Sequence, residues 1–201
     1  YVNNSRIFII TDVDKNDAAQ VATAYRELFL ASNGGALGIF TAIRRLKDVY
    51  RRLKEPLGAN GIDLLAQHVD TVNLQTLLDI FRAEEETCLL GTDAVRDGID
   101  VPGKSLRMIV FDRVPWNRPD IAHKARKAAF GEAGEAYNLM LVRMKLAQAF
   151  GRLIRKHDDK GVFVMLDRAL PSETLTAFPL ETPIEKTGLK DALLKIKEFL
   201  G

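Results

Sequence analysis

The sequence contains little cysteine and little histidine. Among its 201 residues there are one cysteine, Cys88, and three histidines. A single cysteine excludes an internal disulfide and any multi-cysteine zinc or iron–sulfur site in this chain. The histidines, His68, His123 and His157, do not have the spacing of metal ligands. We therefore predict no metal site in these residues, and the low cysteine content fits a protein of the reducing cytoplasm.

Long apolar runs and an excess of charge are also absent. No apolar run approaches the ~18 residues of a membrane-spanning helix, and no signal peptide opens the sequence, so we expect no membrane contact. The formal net charge is +2, from 29 basic and 27 acidic residues, and this alone indicates no polyanionic partner. The chain opens at Tyr1 rather than at a methionine, so we expect it to be a fragment of a longer protein.

The sequence has the composition of a globular protein, and predicted strands alternate with predicted helices along it. The apolar fraction is 47% and the charged fraction 28%, as in a folded domain, and the length predicts one domain over residues 1–201. Short apolar runs alternate with helical stretches of about 11–19 residues, which predicts an α/β fold with a mainly parallel sheet. The Pro-rich start of residues 112–140 indicates a helical insertion. The predicted strands are 36–41, 62–66, 87–92, 106–111 and 161–166, and the predicted helices are 17–30, 43–57, 72–82, 119–133, 137–155 and 189–200.

Residues 98–105 match the phosphate-loop pattern G-x-x-x-x-G-K-[ST] letter for letter. A phosphate loop needs a helix that begins at its Lys-Ser pair, because the helix N-terminus and the loop amides hold the phosphates. Here Lys104 and Ser105 are followed by a predicted strand, and Pro102 removes one amide donor. We therefore interpret the match as a surface turn. An independent phosphate-loop kinase or NTPase would require a helix after Ser105.

The helix predicted over 137–155 has a polar edge near its end. At about 100° per residue, Gln148, Arg152 and Arg155 lie within about 60° of one another. Two guanidiniums on one edge suit a transferring phosphoryl group, because they stabilise its developing charge. A solvated edge whose arginines complement the helix dipole would give the same pattern. Geometry alone leaves both interpretations open.

Four segments, taken in order, resemble the motifs of a helicase family. Residues 148–155 resemble motif VI of superfamily 2 helicases, and residues 91–103 resemble motif V in the form used by the DinG/XPD-like branch. Residues 33–41 resemble motif IV of that branch, and residues 111–119 resemble its segment after motif V. The ordered set covers roughly residues 30–170 and is similar to the second RecA-like motor domain of a DinG-type ATP-dependent DNA helicase.

The resemblance implies a RecA-like sheet with helices on both faces and an ATP site between two such domains. The first motor domain would lie outside this chain. It would supply the phosphate loop, the acidic motif that holds Mg²⁺ with ATP, and a four-cysteine iron–sulfur cluster. The catalytic residues implied in this chain are Arg152, Arg155 and Gln148, and the implied ATP-binding residues are Gly98, Asp100 and Gly151. The two arginines would face the γ-phosphate across the cleft between the domains.

The resemblance also implies a path for single-stranded DNA. The predicted DNA-binding residues are Thr41, Thr92, Arg51, Arg52 and Trp116, of which the resemblance implies the two threonines and residue chemistry suggests the other three. The two threonines end predicted strands, where they would hold backbone phosphates. The two arginines belong to a basic cluster in residues 44–54, which either contacts DNA or forms a solvated helix face. The tryptophan follows a proline in a loop, and it either stacks on a base or covers the core.

Two functions follow from these residues. The first is the second motor domain of an ATP-dependent DNA helicase, whose partners are single-stranded DNA, ATP and an N-terminal motor domain. The second is a nucleic-acid-binding module of a relative whose motor is inactive, in some cases beside a nuclease domain. An intact phosphate loop and acidic motif in the sequence upstream would separate the two.

Overall fold

The structure is a computed structural model that describes residues 3–101, 103–117, 121–154 and 159–201. Its strands, all parallel, form one sheet in the order β3-β4-β2-β5-β6-β1-β7. The strands are β1 Ser5–Ile10, β2 Ala36–Ile39, β3 Asp63–Ala66, β4 Thr87–Gly91, β5 Met108–Phe111, β6 Gly161–Met165 and β7 Ile184–Thr187. The α-helices are α1 Ala18–Ser32, α2 Ile43–Gly58, α3 Leu74–Ala83, α4 Asp93–Gly98, α5 Ile121–Ala129, α6 Gly134–Leu153 and α7 Leu189–Leu200.

Helices cover both faces of the sheet. Along β1, Phe8 and Ile10 pack into the apolar cluster that α1, α2 and α7 share, whereas Ile7 and Ile9 belong to the cluster on the α3 and α6 side. This alternation is the period of two that a strand imposes on its side chains. The predicted α/β fold with a parallel sheet between two helical layers is therefore confirmed.

The middle of the sheet is packed closely enough to require a glycine. The Tyr25 side chain on α1 is fully buried, its ring stacks on Phe40 with centroids 4.8 Å apart, and its hydroxyl donates to the Val110 carbonyl at 3.2 Å. A Cβ added at Gly38 in β2 would lie 2.7 Å from that tyrosine ring. Since side-chain volume there would force a core shift, this contact fixes the distance between α1 and the sheet.

Several predicted boundaries are wrong by one or more residues. Helix α1 begins at Ala18 rather than at Asp17, which is instead its N-cap, because the Asp17 carboxylate accepts from the amides of Ala19 and Gln20 at 2.9 and 3.2 Å. Helix α2 continues through Pro56, which lies in its last turn, to Gly58. Two strands, β1 and β7, and the short helix α4 are absent from the sequence prediction. The stretch predicted as an insertion contains α5, a 3₁₀ turn and the first turns of α6.

The phosphate-loop match is not built like a phosphate loop. Gly103–Ser105 form a single 3₁₀ turn, and the next element is the strand β5. The Ser105 hydroxyl donates to the Arg82 carbonyl at 3.0 Å, so it is used within the fold. Pro102 lies outside the described residues. The interpretation of this segment as a turn between two elements is confirmed, and the independent phosphate-loop enzyme is excluded.

Candidate functional site

A surface pocket of about 360 Å³ opens at the carboxyl ends of β2, β4 and β5. In parallel sheets this edge is where ligands bind, because the loops after several strands converge there. The pocket brings together three of the five residues predicted to bind DNA, Thr41, Thr92 and Trp116. Trp116 is 44% exposed, so it does not cover the core. The remaining lining residues are Phe40, Ile43, Asp93, Pro115, Asn117, Arg126 and Lys145.

Thr92 is held by a residue that the sequence did not indicate. The Thr92 amide and hydroxyl both donate to the Oε1 atom of Gln67, each at 2.9 Å. The backbone amide can only donate, which fixes the orientation of the Gln67 side-chain amide. Gln67 is 9% exposed and directly follows β3, the strand beside β4. A polar residue immediately after a predicted strand was the one signal that could have found it.

The Thr41 loop is anchored by a buried carboxylate. Asp112, which follows β5, is fully buried; one oxygen accepts from the Thr41 amide at 3.2 Å and the other from Arg45 Nε at 2.7 Å. Burial raises the pKa of Asp112, and the hydrogen bond and charge of Arg45 oppose that rise. Arg45 also donates to the Lys15 carbonyl at 2.8 Å. The position of Thr41 therefore depends on a charge that the fold has removed from water.

A second buried carboxylate anchors the loop that carries Trp116. Asp167, at the end of β6, accepts from Lys15 Nζ at 2.8 Å with both oxygens. It also accepts from the amides of Val114 at 3.2 Å and Ala169 at 3.0 Å. The Val114 bond ties the start of the Trp116 loop to the neighbouring strand. Sequence reasoning missed both Asp112 and Asp167.

The predicted ATP-site residues lie where α6 ends against α4. Arg152 is half-buried, and its Nη2 atom is 3.5 Å from the Asp97 carbonyl oxygen. Gly98 ends α4, and the Asp100 carbonyl just beyond it accepts from Arg82 at 3.0 Å. The structure thus brings Arg152 beside the segment that contains Gly98 and Asp100.

Gln148 and Gly151 are exposed on the same helix as Arg152. A Cβ added at Gly151 would meet nothing within 4 Å. A glycine in a helix interior destabilises the helix by about 1 kcal/mol relative to alanine, and no contact among the described residues explains the glycine here. Arg155 lies outside the described residues.

Helix α4 connects this face to the pocket. Arg96 on α4 is 5% exposed and forms ion pairs with Asp93 at 3.1 Å and Asp97 at 2.8 Å. Asp93 also pairs with Lys145 of α6 at 3.3 Å. Asp93 and Lys145 line the pocket, whereas Asp97 contacts Arg152. The six residues of α4 extend about 9 Å, so the two predicted sites lie at opposite ends of one short, charge-paired helix.

Arg51 and Arg52 do not line this pocket. Both are exposed on α2 and share one carboxylate, Asp48, at 3.3 and 3.7 Å respectively. Arg51 instead lines a separate groove, described below, that runs along α2. The structure therefore does not place these two arginines beside Thr41 and Thr92.

The chain offers no ligand set for an iron–sulfur cluster. Such a cluster needs several cysteine thiolates, and Cys88 is the one cysteine of the sequence. Cys88 is fully buried in β4, and burial raises its pKa to about 12. Among the residues that the structure describes, no three side chains of histidine, cysteine, aspartate or glutamate are grouped to bind a metal ion. In the same described part of the chain, no helix has the length and apolar character needed to span a membrane.

Comparison with known proteins gives matches in both sequence and fold. The family model for the helicase C-terminal domain matches residues 25–180. The ATP-dependent helicase DinG of Mycobacterium tuberculosis is 32% identical over 159 residues, which cover 77% of this chain and 23% of that protein. The 3′-5′ exonuclease DinG of Bacillus subtilis is 30% identical over 171 residues, which cover 80% of this chain and 18% of that protein.

Among solved structures, an XPD helicase superposes with a TM-score of 0.69 at 18% identity, and the match covers 92% of this chain and 36% of that one. This likeness confirms the predicted RecA-like fold. The chain spans about a fifth to a quarter of the length of the two curated relatives.

Proposed function

Because the chain belongs to the helicase C-terminal domain family, we propose that it is the second motor domain of an ATP-dependent DNA helicase. The observation that carries this proposal is the placement of α4. One end of this helix faces a pocket that suits nucleic acid, and the other end contacts an arginine that suits a nucleoside triphosphate. A motor domain needs these two sites to be coupled.

The pocket has the features of a single-strand site. Proteins that bind single strands combine cations that follow the backbone with aromatic side chains on which bases stack. Trp116 supplies an exposed ring and Arg126 supplies positive charge, whereas the charge of Lys145 is paired with Asp93. Thr41 and Thr92 lie where two neighbouring strands end, so both line the same opening.

The α6 edge has the features of the arginine-bearing side of an ATP site. We propose that Arg152 and Arg155 stabilise the γ-phosphoryl group, that Gln148 senses it, and that Gly98, Asp100 and Gly151 line the nucleotide. The open space above Gly151 allows close approach of a ligand or a second domain. ATP and Mg²⁺ would be held mainly by an N-terminal motor domain, because this chain has no phosphate loop.

Force would then come from closure of the cleft between the two domains. ATP binding would close the cleft and hydrolysis would open it, which is a hinge motion of a common kind. The ion pairs of Arg96 and Lys145 link the residues of α4 to one another and to α6, so a displacement of the Arg152 end would be transmitted to the pocket. In this way ATP binding and hydrolysis would change the affinity of the pocket for DNA.

The test is steady-state ATP hydrolysis by the protein that contains both motor domains, with saturating single-stranded DNA. An arginine that reaches the γ-phosphate in the transition state contributes about 10³–10⁵ in turnover. Arg152→Ala should therefore lower kcat by at least about 10³-fold with little change in KM for ATP. Arg152→Lys should restore little, because a point charge does not replace the planar fork.

Arg143→Ala is the matched control, because Arg143 is an exposed arginine on the same helix, away from Asp97. It should leave kcat within a few-fold of the wild-type value. An Arg152→Ala variant that hydrolyses ATP as fast as the Arg143→Ala variant would overturn the assignment of Arg152.

A second function is favoured by the name of one relative. The Bacillus subtilis protein is called a 3′-5′ exonuclease rather than a helicase. We infer as the alternative that this chain binds nucleic acid beside a nuclease domain without an active motor. DNA binding that depends on Trp116, in a whole protein with no DNA-stimulated ATP hydrolysis, would support this alternative.

A further inference from the structure

A groove of about 610 Å³ lies between α2 and the loop that follows β3. One wall is the exposed face of α2 and the other is the loop after Ala66. We call it the α2 groove, and it is lined by Ile43, Arg44, Lys47, Tyr50, Arg51, His68 and Val69. Nothing in the family match assigns a role to it. We propose that the α2 groove extends the single-stranded DNA track beyond the pocket at Thr41 and Thr92, and this inference rests on the proposed function.

The groove and the pocket are separate cavities that adjoin at one shared residue. Ile43, the first residue of α2, lines both of them and is 38% exposed. A strand that leaves the pocket past Ile43 would therefore pass directly to the α2 groove. The two cavities together form a path along one edge of the molecule.

The charge of the groove suits a phosphate backbone. Arg44, Lys47 and Arg51 lie at positions i, i+3 and i+7, which places them on one face of α2 over about 10 Å. Within the described part of the chain, neither Arg44 nor Lys47 forms an ion pair, whereas Arg51 and Arg52 share Asp48. The groove therefore offers two uncompensated cations, and these differ from the pair that the sequence suggested.

The opposite wall of the groove is the loop after β3, and Gln67 in this loop also holds Thr92. His68 has a φ of +67°, and the turn is closed by hydrogen bonds from the Val69 and Asp70 amides to the Ala66 carbonyl at 3.3 and 3.1 Å. A non-glycine residue in this conformation is uncommon and is often found at functional sites. Gln67 accepts from Thr92, which lines the pocket, while His68, one residue later, lines the groove. Ile43, Tyr50 and Val69 supply apolar surface on which a base can lie.

The test measures binding of the purified chain to oligothymidylates of increasing length, by fluorescence anisotropy over a range of salt. The double variant Arg44→Ala/Lys47→Ala should bind the shortest oligomer as the wild type does. For long oligomers its log–log salt slope should be smaller in magnitude by about 1.4, since each phosphate contact on a single strand contributes about 0.7. His68→Asn, which tolerates the left-handed backbone, should also weaken only the long oligomers.

The control is Lys190→Ala/Lys197→Ala, which removes the same charge from the exposed face of α7. It should leave affinity and salt slope at every length unchanged. If both double variants lose the same affinity for long oligomers, the proposal is overturned, because the protein would then attract DNA through its overall charge rather than through the groove. If the Arg44→Ala/Lys47→Ala variant binds long oligomers as tightly as the wild type, the α2 groove does not bind DNA, and the proposed site at the pocket is unaffected. Wild-type binding that Trp116→Ala leaves unchanged at every oligomer length would refute the proposed single-strand site itself, and no binding by the wild-type chain would overturn both proposals.

Discussion

Substitution of Asp112 by alanine tests whether the Thr41 loop is held by a buried charge. Removal of one partner from a buried ion pair costs about 3–5 kcal/mol, because the other charge is left uncompensated. Asp112 has no exposed surface, whereas the Arg45 side chain is 23% exposed and keeps its bond to the Lys15 carbonyl. We therefore expect the lower end of that range, about 3 kcal/mol. The Thr41 amide loses its acceptor at the same time.

The free energy of unfolding can be measured by urea denaturation followed by far-ultraviolet circular dichroism. Asp48→Ala is the matched control, since Asp48 also pairs with two arginines but on the exposed surface of α2. Exposed pairs contribute about 0–1 kcal/mol, so the control should lose no more than that. If Asp112→Ala and Asp48→Ala lower the unfolding free energy by the same small amount, the buried pair does not anchor the loop.

Three further predictions concern titration and turnover. Because burial raises the folded-state pKa of Asp112 above its ordinary value of 3.8, its contribution to stability falls as pH rises through that folded pKa, and Asp112→Asn should remove this component from unfolding curves measured from pH 4 upward. In the protein with both motor domains, Arg155→Ala should lower kcat about as much as Arg152→Ala, whereas Lys104→Ala should leave it within a few-fold; the reverse result in ATPase assays would reopen the phosphate-loop interpretation. The purified chain alone should not hydrolyse ATP, because arginine donors without a phosphate loop leave Mg-ATP unheld, and turnover stimulated by DNA would contradict this.

Most of the fold could be predicted because its buried strands are continuous apolar runs. Strands such as β5 and β6, buried on both faces, carry this signal strongly. The strand β7 does not, because Ile184–Thr187 lies at the edge of the sheet and is only half-buried. The strand β1 does contain an apolar run, Ile7–Ile10, but no helical or turn signal precedes it. Edge strands and terminal strands are therefore the ones that local pattern misses.

The candidate site divides in the same way. The resemblance to helicase motifs points to Thr41 and Thr92, and an aromatic in a loop points to Trp116; the structure brings the three to one pocket, and their role in binding DNA stays a prediction. Their anchors could not be predicted, since Asp112 is 71 residues from Thr41 and Gln67 is 25 residues from Thr92. These contacts depend on the strand order β3-β4-β2-β5, which brings the loops together. The spacing of residues along the sequence does not predict this strand order.

The two hydrogen bonds from Thr92 to Gln67 also determine how firmly a ligand can be held there. A phosphate oxygen accepts hydrogen bonds and cannot donate them, so it competes with Gln67 Oε1 for the same amide and hydroxyl protons. Each bond that a phosphate gains at Thr92 is one that Gln67 loses, and the net change in free energy is small. If Thr92 holds a DNA phosphate, as proposed, this exchange would let the strand be released at every step, which is the property that translocation along a single strand requires.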